Sequence, residues 1–369
     1  MPWVPRNIIV RGVNWLGDAV MSTPALFRLR ERFPSARIVL LTPEKIAQLW
    51  IGHPAINGTL SFGPAEGLVS VSKRLRNEDF DLALILPNSF RSAAEMFFSR
   101  IPRRVGFGGQ LRSLFLTQPV SQRPQSISMR KRTRGEIERL VATGRETGPA
   151  AIPATAHHIY QYLHLAAAVG ASAEPSAPMI HVSEAEVTEV CKKFEIPRDE
   201  IPLIGINPGA EYGPAKRWPT EYFVEALHAI SQARDCQFIL FGGKSDMETA
   251  TRIVAEVSRK DPVGSSLKNL AGHTSLRELC ALAKACRVFI TNDTGPMHVA
   301  AAVGTHVIAP FGSTSARLTG PWPLERHHLL ETTVPCAPCF LRQCPIDFRC
   351  MHQIKPVGII EAAIGYVEP

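Results

Sequence analysis

The sequence predicts an α/β protein with two doubly wound domains in tandem, and two observations support this prediction. Short apolar runs typical of buried strands alternate with segments in which apolar residues recur at helical spacing. This alternation occurs twice, on either side of a stretch rich in Ala, Pro and Ser at 170–179. Strands separated by helices form a parallel sheet covered on both faces, so we expect two such sheets facing one another across a cleft.

Length and composition are compatible with this class. The 369 residues are 45% hydrophobic and 20% charged, which is ordinary for a globular protein and leaves room for two or three domains. No apolar run reaches the roughly 18 residues of a membrane span, and residues 1–17 lack a cationic leader followed by an apolar core. We therefore expect neither export nor a membrane span.

The first half of the chain opens with the strand–helix alternation. The expected strands are 7–12, 36–42 and 80–86, and the expected helices are 17–33 and 157–169. From 120 to 155 the pattern gives way to Ser, Arg, Gln, Gly and Pro, with a short helical hint at 135–141, so we expect an exposed, mobile insertion there. We assign residues 1–175 to an N-terminal domain that contains this insertion.

The second half repeats the alternation. The expected strands are 202–207, 237–241, 288–292 and 306–309, and the expected helices are 221–233, 246–258, 275–285 and 296–303. We assign residues 180–350 to a C-terminal domain. A last helix within 351–369 is expected to pack back toward the N-terminal domain.

Positive charge is concentrated in one stretch. The formal net charge is +8, and residues 96–135 hold nine Lys and Arg and no Asp or Glu. Such a block indicates an anionic partner, namely a phosphorylated small molecule, a membrane surface or nucleic acid, or simply a solvated loop. It lacks interleaved aromatic residues across 121–135, which disfavours nucleic acid, and we expect the run 123–134 to assist docking at an anionic membrane.

Four of the eight cysteines lie close together near the C-terminus, at Cys336, Cys339, Cys344 and Cys350, with His352 beside them. They are ligands enough for zinc or an iron–sulfur centre, but their spacings fit neither a common zinc ribbon nor a ferredoxin motif. We therefore expect no bound metal and a reduced or locally disulfide-linked structure. Eight cysteines are too few for a disulfide scaffold in a chain of this size, which favours a reducing cytoplasm.

Two familiar nucleotide-binding motifs are excluded. The turn after the first strand, 12–18, has a single pair of glycines at the wrong spacing for a dinucleotide fold. The stretch Gly243-Lys244-Ser245 lacks the first glycine of a phosphate-binding P-loop, because Phe238 stands at that position. An NAD enzyme and a P-loop nucleotidase are both disfavoured.

The stretch 291–300 is the most informative in the second domain. Thr294 or Asp293 can cap a helix that follows directly after a strand, Gly295 is flexible, and Pro296 suits the first helical turn. The free N–H groups of such a helix start, with the helix dipole behind them, can hold a diphosphate. The alternative is a simple strand–turn–helix cap, and His298 alone is more typical of packing than of chemistry.

A second signal follows another strand of the same domain. In the stretch 207–219, Asn207 and Gly209 begin an open loop in which Lys216 and Arg217 can meet phosphate oxygens. In the first domain, Asp18 follows the first strand. It is either an N-cap or a carboxylate that acts as general base at the ligand-binding edge of the sheet, and spacing alone does not separate the two.

Together these residues resemble a known family, the lipopolysaccharide heptosyltransferases of glycosyltransferase family 9, and within it the heptosyltransferase II group. The resemblance rests on four stretches in the right order over nearly the whole chain: 14–26, 86–89, 207–219 and 292–298. The cysteine-rich tail fits as well. The basic insertion at 120–155 is longer than the family leads us to expect.

The resemblance implies a GT-B architecture with an N-terminal acceptor domain and a C-terminal ADP-heptose domain. It implies an inverting, metal-independent and cofactor-free transfer of heptose from ADP-heptose to phosphorylated heptosyl-Kdo-lipid A, at the cytoplasmic face of the inner membrane. By position, Asp18 would be the base and Lys216 would neutralise the leaving diphosphate. The other residues implied for the donor are Asn207, Gly209, Arg217, Asp293, Thr294, Gly295, Pro296 and His298, and those for the acceptor are Arg11, Asn88 and Arg91.

Two other functions remain possible on the sequence alone. One is another family-9 transferase, such as heptosyltransferase I or an enzyme for a different nucleotide sugar. The other is a non-catalytic protein that binds lipid A or a nucleotide sugar. The presence of both Asp18 and Lys216 disfavours the second, because a protein that only binds has no need of both.

Overall fold

A computed structural model describes residues 4–144, 152–260 and 266–367. Within these residues the chain divides into two compact units. The first unit comprises Met1–Ser126 and Thr155–His181, and the second comprises Ile127–Ala154 and Val182–Pro369. Each of the two units is an α/β structure built around its own sheet.

The first unit contains, in its described residues, a sheet of six parallel strands in the order β3-β2-β1-β4-β5-β6. The strands are β1 (Asn7–Arg11), β2 (Arg37–Pro43), β3 (Gly58–Phe62), β4 (Leu82–Ile85), β5 (Arg103–Phe107) and β6 (Gln118–Val120). The central strands β1, β2 and β4 are almost continuously apolar and buried, as both faces of a parallel sheet are covered by helices.

The helices are numbered through the whole chain. Those of the first unit are α1 (Leu16–Met21), α2 (Thr23–Arg32), α3 (Leu68–Leu75), α4 (Phe90–Phe98) and α6 (Ile159–Ala167), whereas α5 (Arg134–Thr143) lies in the second unit. The single helix expected at 17–33 is divided into α1 and α2 at Ser22. Pro24 has no N–H to donate back to Val20, so the helix cannot run through this point without a break.

The second unit repeats the topology of the first. Its described residues form six parallel strands in the order β12-β11-β10-β7-β8-β9. The strands are β7 (Leu203–Asn207), β8 (Gln237–Leu240), β9 (Ser266–Asn269), β10 (Val288–Thr291), β11 (His306–Phe311) and β12 (His328–Glu331). Numbered within each unit, both sheets have the order 3-2-1-4-5-6 of a doubly wound nucleotide-binding fold.

The helices of the second unit cover both faces of its sheet. They are α7 (Glu184–Lys193), α8 (Thr220–Ala233), α9 (Met247–Lys260), α10 (Leu276–Ala285), α11 (Gly295–Ala302), α12 (Ala316–Thr319), α13 (Arg349–Gln353) and α14 (Pro356–Val367). We expected the last helix to pack back toward the N-terminal domain. Instead Ile359, Ala363 and Val367 of α14 lie in the core of the second unit with Trp218 and Ile230, because its apolar face fits beside α8.

The described residues 127–144 and 152–154 differ from the exposed insertion expected within the N-terminal domain, since they belong to the second unit. Thr133 and Glu136 form a capping box that starts α5, and Ile137 is buried in a small cluster with Cys336 and Cys339. The remainder of the expected insertion, 145–151, lies outside the described residues. The part that is described is anchored by an apolar contact that the basic composition concealed.

None of the described helices has the length and apolar character required to cross a membrane.

Candidate active site

The predicted site residues follow the two central strands of each sheet. Between these two strands the chain changes the direction in which it adds strands to the sheet. In the first unit β1 and β4 are neighbours, and in the second β7 and β10 are neighbours. Loops from the carboxyl ends of such a strand pair diverge to opposite faces of the sheet and leave a crevice where ligands bind in α/β proteins. Asp18 and Asn88 follow β1 and β4, and Lys216 and Asp293 follow β7 and β10.

Asp18 is not the N-cap of its helix. Trp15 occupies the N-cap position of α1, and Asp18 lies in the first turn with about one third of its side chain exposed. A carboxylate here faces the positive end of the helix dipole and remains accessible to a ligand. The structure therefore favours the second of the two interpretations of Asp18, that of a functional carboxylate.

Two side chains at the start of α6 hold the Asp18 carboxylate, the partly buried N-cap His158 and the buried Tyr162. The Tyr162 hydroxyl hydrogen-bonds to Asp18, and His158 Nε2 lies 3.1 Å from that hydroxyl and 3.7 Å from Asp18 Oδ1. Residues i and i+4 share one face of a helix, so His158 and Tyr162 both point toward α1. A chain of donors from His158 through Tyr162 to Asp18 satisfies all three groups.

Burial fixes the protonation states of these two supports. It raises the pKa of Tyr162 well above its ordinary value, and the negative charge of Asp18 and the hydrogen bond to it act in the same direction. Burial also lowers the pKa of His158, against the opposing effect of Asp18, and Arg123 lowers it further. Tyr162 thus stays protonated as a donor and His158 stays neutral at pH 7.

The residues expected to hold the acceptor have different surroundings. Arg11 is buried, and its Nε lies 2.9 Å from Oε2 of the buried Glu95. Arg91 is exposed on α4 and binds the other carboxylate oxygen, Oε1, at 2.7 Å. Asn88 is exposed and accepts a hydrogen bond from Arg112. Arg11 is thus engaged inside the unit, whereas Asn88 and Arg91 are accessible to a ligand.

Two asparagines tie together the loops that follow β7 and β10. Asn207 Nδ2 donates to Thr291 Oγ1 at 3.2 Å, and Asn292 Nδ2 donates to the carbonyl of Pro208 at 2.7 Å. Asn292 Oδ1 also accepts the backbone N–H of Trp218 at 2.9 Å. Both asparagines are buried, so these bonds fix the loops in place. Asn207 consequently acts through the shape of the loop.

Lys216 and Asp293 meet at the mouth of this crevice. Lys216 Nζ lies 2.5 Å from Asp293 Oδ2, and Thr314 Oγ1 donates to the same oxygen at 2.6 Å. Asp293 is nearly buried, while Lys216 lies above the Tyr212 ring at 5.1 Å. The ion pair brings together two residues that the sequence places 77 positions apart. The ion pair holds the Lys216 ammonium group at the carboxyl edge of the sheet, where the predicted diphosphate would bind.

Gly209 and Arg217 share a further partner, Asp246. A side chain at Gly209 would place its Cβ 2.4 Å from the Asp246 carboxylate, so only glycine permits the approach. Asp246 Oδ1 lies 3.4 Å from Arg217, and its Oδ2 accepts the backbone N–H of Gly243 at 3.0 Å. Sequence analysis missed Asp246 and Thr314 because no motif marks them.

The helix start at 294–296 has the form the sequence indicates. Thr294 is the N-cap of α11, Gly295 is its first residue, and Pro296 follows. Within the described part of the chain the Thr294 side chain makes no capping hydrogen bond. Pro296 has no N–H and the Met297 N–H donates to the Thr294 carbonyl, so this helix end offers an anion the Gly295 N–H and the positive end of the helix dipole. His298 is buried within the helix, as expected for a packing residue.

The four clustered cysteines line one small cavity beneath this region. Its lining includes Cys336, Cys339, Cys344 and Cys350, together with Ile137 and Ser313. All eight cysteines of the chain are described and are free thiols. No set of three or more His, Cys, Asp or Glu side chains in 4–144, 152–260 or 266–367 is arranged to hold a metal ion. Burial raises the pKa of Cys350 to about 12, so this thiol is protonated at neutral pH.

The segment that carries these cysteines also shapes the Lys216 loop. The Arg342 carbonyl accepts the backbone N–H of Ala215 at 3.0 Å, and Arg342 Nε donates to the Tyr212 carbonyl at 2.6 Å. Gly213 has φ +150°, and a Cβ there would meet the Arg342 carbonyl oxygen at 2.4 Å. The cysteine-rich tail is therefore a structural support for the loop that holds Lys216.

Two doubly wound units, one with a carboxylate held by Tyr162 and His158 and the other with a cation near a helix start, have the architecture and the charged groups of a glycosyltransferase of the GT-B fold. A carboxylate can take a proton from an attacking hydroxyl, and a cation with free N–H groups can compensate the charge of a departing nucleoside diphosphate.

The chain belongs to glycosyltransferase family 9 (heptosyltransferase), whose family model matches residues 68–348. Lipopolysaccharide heptosyltransferase 2 of Salmonella typhimurium is 33% identical to it over 322 residues, which is 85% of each chain. The Escherichia coli protein of the same name is 32% identical over 321 residues, again 85% of each. The structure of E. coli ADP-heptose lps heptosyltransferase II superposes with a TM-score of 0.77 and 27% identity over 98% of both chains. The sequence resemblance is confirmed, as is the fold class.

Proposed function

We propose that this glycosyltransferase moves L-glycero-D-manno-heptose from ADP-heptose to phosphorylated heptosyl-Kdo-lipid A during synthesis of the lipopolysaccharide inner core. The observation that carries the proposal is the cationic crevice of the second unit, where Lys216 and the N-terminus of α11, which no side chain caps, follow neighbouring strands. A nucleoside diphosphate sugar matches this charge. The choice of heptose and of acceptor is supported by the names of the relatives, lipopolysaccharide heptosyltransferase 2.

In the proposed reaction Asp18 accepts the proton of an acceptor hydroxyl while that oxygen attacks the anomeric carbon of the heptose. The bond from this carbon to the β-phosphate oxygen of ADP breaks in the same displacement, so the anomeric configuration inverts. Lys216, the Gly295 N–H and the positive end of the α11 dipole stabilise the negative charge that develops on the departing ADP. This compensation makes a divalent metal unnecessary, and no cofactor takes part.

The acceptor is bound by the first unit in this proposal. Asn88 and the exposed Arg91 are the groups placed to meet its phosphorylated sugars. Because such an acceptor is anchored in a bilayer, the enzyme works in the cytoplasm, in peripheral contact with the inner face of the inner membrane. Nucleic acid is not a partner.

The test supplies ADP-heptose and a series of truncated lipopolysaccharide cores and measures acceptor mass. A gain of one heptose on a core that already carries the first heptose is expected, in the presence of EDTA as well as in its absence. Transfer to a core that lacks the first heptose would instead identify a heptosyltransferase I activity, and transfer of another sugar would identify a different donor. Either result would overturn the proposal.

A further inference from the structure

Five exposed apolar side chains and the partly buried Phe115 form a patch on the first unit, contributed by α4 and by the 3-10 helix Gln110–Phe115. The patch consists of Phe90, Phe97, Phe98, Leu111, Leu114 and Phe115, and we refer to it as the Phe/Leu patch. Leu111 and Leu114 are about 70% exposed, and Phe90 is about half exposed. The Phe115 ring lies at its centre, 5.0 Å from Phe90 and 5.2 Å from Phe97 between ring centroids.

Five of these side chains are not part of the described core of the unit, and only the partly buried Phe115 also packs against that core. The opposite face of α4 supplies the buried residues Ala93 and Met96 to the core. The 3-10 helix is fixed separately by Arg112, whose guanidinium is buried and donates to the carbonyl of Pro87 and to Asn88 Oδ1. A rigid, contiguous and exposed apolar surface of this kind marks an interaction site.

The border of the Phe/Leu patch is cationic. Arg76 Nε donates to the Phe98 carbonyl at 2.7 Å. Arg104 Nε donates to the Phe115 carbonyl at 2.7 Å, and its guanidinium lies 5.3 Å above the Phe97 ring. Residues 96–120 contain no Asp or Glu, and the one acid of α4, Glu95, is buried between Arg11 and Arg91. The acids that flank α3, Glu66 and Glu78, are each paired with an arginine.

Phenylalanine and leucine surrounded by arginine fit one kind of partner, the surface of an anionic bilayer. The rings and leucines enter the boundary between headgroups and acyl chains, and the guanidinium groups bind lipid phosphates. A second copy of the chain fits less well, because a symmetric contact through this patch would place arginines against arginines.

The patch also adjoins the residues that we assign to the acceptor. Phe90 and Arg91 are consecutive, and Arg112, which fixes the 3-10 helix, holds Asn88 directly. We propose that the Phe/Leu patch docks the first unit on an anionic membrane and so presents Asn88 and Arg91 to a lipid-anchored acceptor. This inference rests on the proposed function for the nature of the acceptor but not for the docking itself.

The basic run that we first expected to dock at the membrane is a weaker candidate. Arg130 pairs with Glu136 and Arg134 with Glu138, while Arg132 donates to the Pro335 carbonyl. Arg123 is buried and binds the Thr155 carbonyl. The positive charges of Arg130 and Arg134 are thus compensated by neighbouring acids, whereas Arg76 and Arg104 donate to neutral carbonyls and keep their charge.

The experiment measures cosedimentation of the full chain with vesicles of phosphatidylglycerol and phosphatidylethanolamine, and with phosphatidylcholine vesicles as the neutral comparison. The test variant is Phe98→Ser with Leu114→Ser. The control is Ile51→Ser with Val357→Ser, which removes similarly exposed apolar side chains elsewhere. We expect the test variant to lose about tenfold or more of its partition into the anionic vesicles and the control to lose none.

Three further measurements distinguish a failure of the membrane-docking inference from a failure of the proposed function. Circular dichroism and transfer to a delipidated core oligosaccharide should be unchanged in the test variant, because neither residue contacts the site. Unchanged partition into the anionic vesicles would overturn the docking inference whatever the enzyme transfers. Self-association of the native chain that is lost in the test variant, without vesicle binding, would assign the patch to a second copy instead. If no acceptor core receives heptose while vesicle binding is intact, only the proposed function is overturned.

Discussion

At the scale of single residues, Asp18 is the side chain on which the proposed chemistry depends most. Asp18→Asn keeps the shape of the side chain and an oxygen that can accept from Tyr162, but it removes the base. We expect transfer to fall by roughly two to four orders of magnitude while ADP binding and the fold are retained. Initial rates and nucleotide titrations test this. A folded variant with near-normal transfer would show that Asp18 has no role in proton transfer.

Tyr162 is a positioning residue, since it acts on the reaction through Asp18 alone. In Tyr162→Phe the carboxylate loses the donor that orients it, so we expect kcat to fall about ten- to a hundredfold with little change in KM for the donor. Tyr160→Phe is the matched control, because Tyr160 stands on the same helix and lies against Arg123. Equal effects of the two variants, or an effect on stability alone, would remove Tyr162 from the mechanism.

His53 provides a pH dependence of stability in the first unit. Burial, aided by His181, lowers its pKa to about 4, and its Nε2 has no hydrogen-bond partner in the described structure. The unfolded state, with a pKa of about 6.5, binds the proton first as pH falls, so stability is complete above that value and is lost between about 6.5 and 4. The loss approaches about 1.4 kcal/mol per pH unit within this window.

Urea unfolding at pH 7 and at pH 5 measures this effect. We expect His53→Gln to reduce the difference in unfolding free energy between the two pH values, since glutamine does not titrate. The exposed His352→Gln is the control and should leave that difference unchanged. An unchanged difference in His53→Gln would show that His53 is not the group responsible.

At the scale of elements, α5 illustrates how a helix that follows a strongly basic stretch becomes part of a folded unit. Ile137 is its one fully buried side chain and packs against Cys336 and Cys339. Ile137→Ala would leave a cavity beside the two thiols and would loosen the segment that supports the Lys216 loop. We expect the alkylation of Cys336 and Cys339 by iodoacetamide to become severalfold faster, with a modest loss of thermal stability.

Mass spectrometry of the alkylated peptides distinguishes these thiols from the buried cysteines elsewhere. The matched control is Arg139→Ala, which truncates an exposed side chain of the same helix. If the alkylation rates respond equally to both variants, or to neither, the packing of α5 on the cysteine-rich segment does not protect the thiols.

The strands show where an apolar sequence pattern is enough to predict an element and where it is not. The central strands were predictable because burial on both faces makes them continuously apolar, as in Ile8, Ile9 and Val10. The sheet-edge strands β3, β6, β9 and β12 were missed, since edge positions leave polar residues exposed and the apolar run is broken. The missed strand β5 begins with two arginines, so no continuous apolar run marks it: Arg103 bonds to Gln118 of β6, and Arg104 bonds to the Phe115 carbonyl.

For the molecule as a whole, the sequence indicated which strand ends carry the candidate residues better than it indicated the contacts among them. Asp18, Lys216 and Asp293 were predictable because each follows a recognisable strand at the carboxyl edge of a sheet. Tyr162, Asp246 and Thr314 could not be predicted. They lie far along the sequence from the residues they contact, and only the folded chain brings them together. Counting charges along the sequence has the same limit. The stretch without Asp or Glu ends at residue 135, but Glu136 and Glu138 follow directly and pair with Arg130 and Arg134.

In the proposed reaction the second unit holds the nucleotide and the first unit supplies the base. This assignment of roles can be tested. Lys216 and its partners Asp293 and Thr314 lie in the second unit, whereas Asp18 and its supports lie in the first. If Lys216 binds the diphosphate, its charge acts on the bound substrate and on the transition state alike. Lys216→Ala should therefore weaken ADP binding about ten- to a hundredfold and lower kcat as well, whereas Asp18→Asn should leave ADP affinity within about twofold of the native value. Isothermal titration with ADP measures both. Loss of ADP affinity in Asp18→Asn, or its retention in Lys216→Ala, would mean that the second unit does not hold the nucleotide in the way its charges indicate.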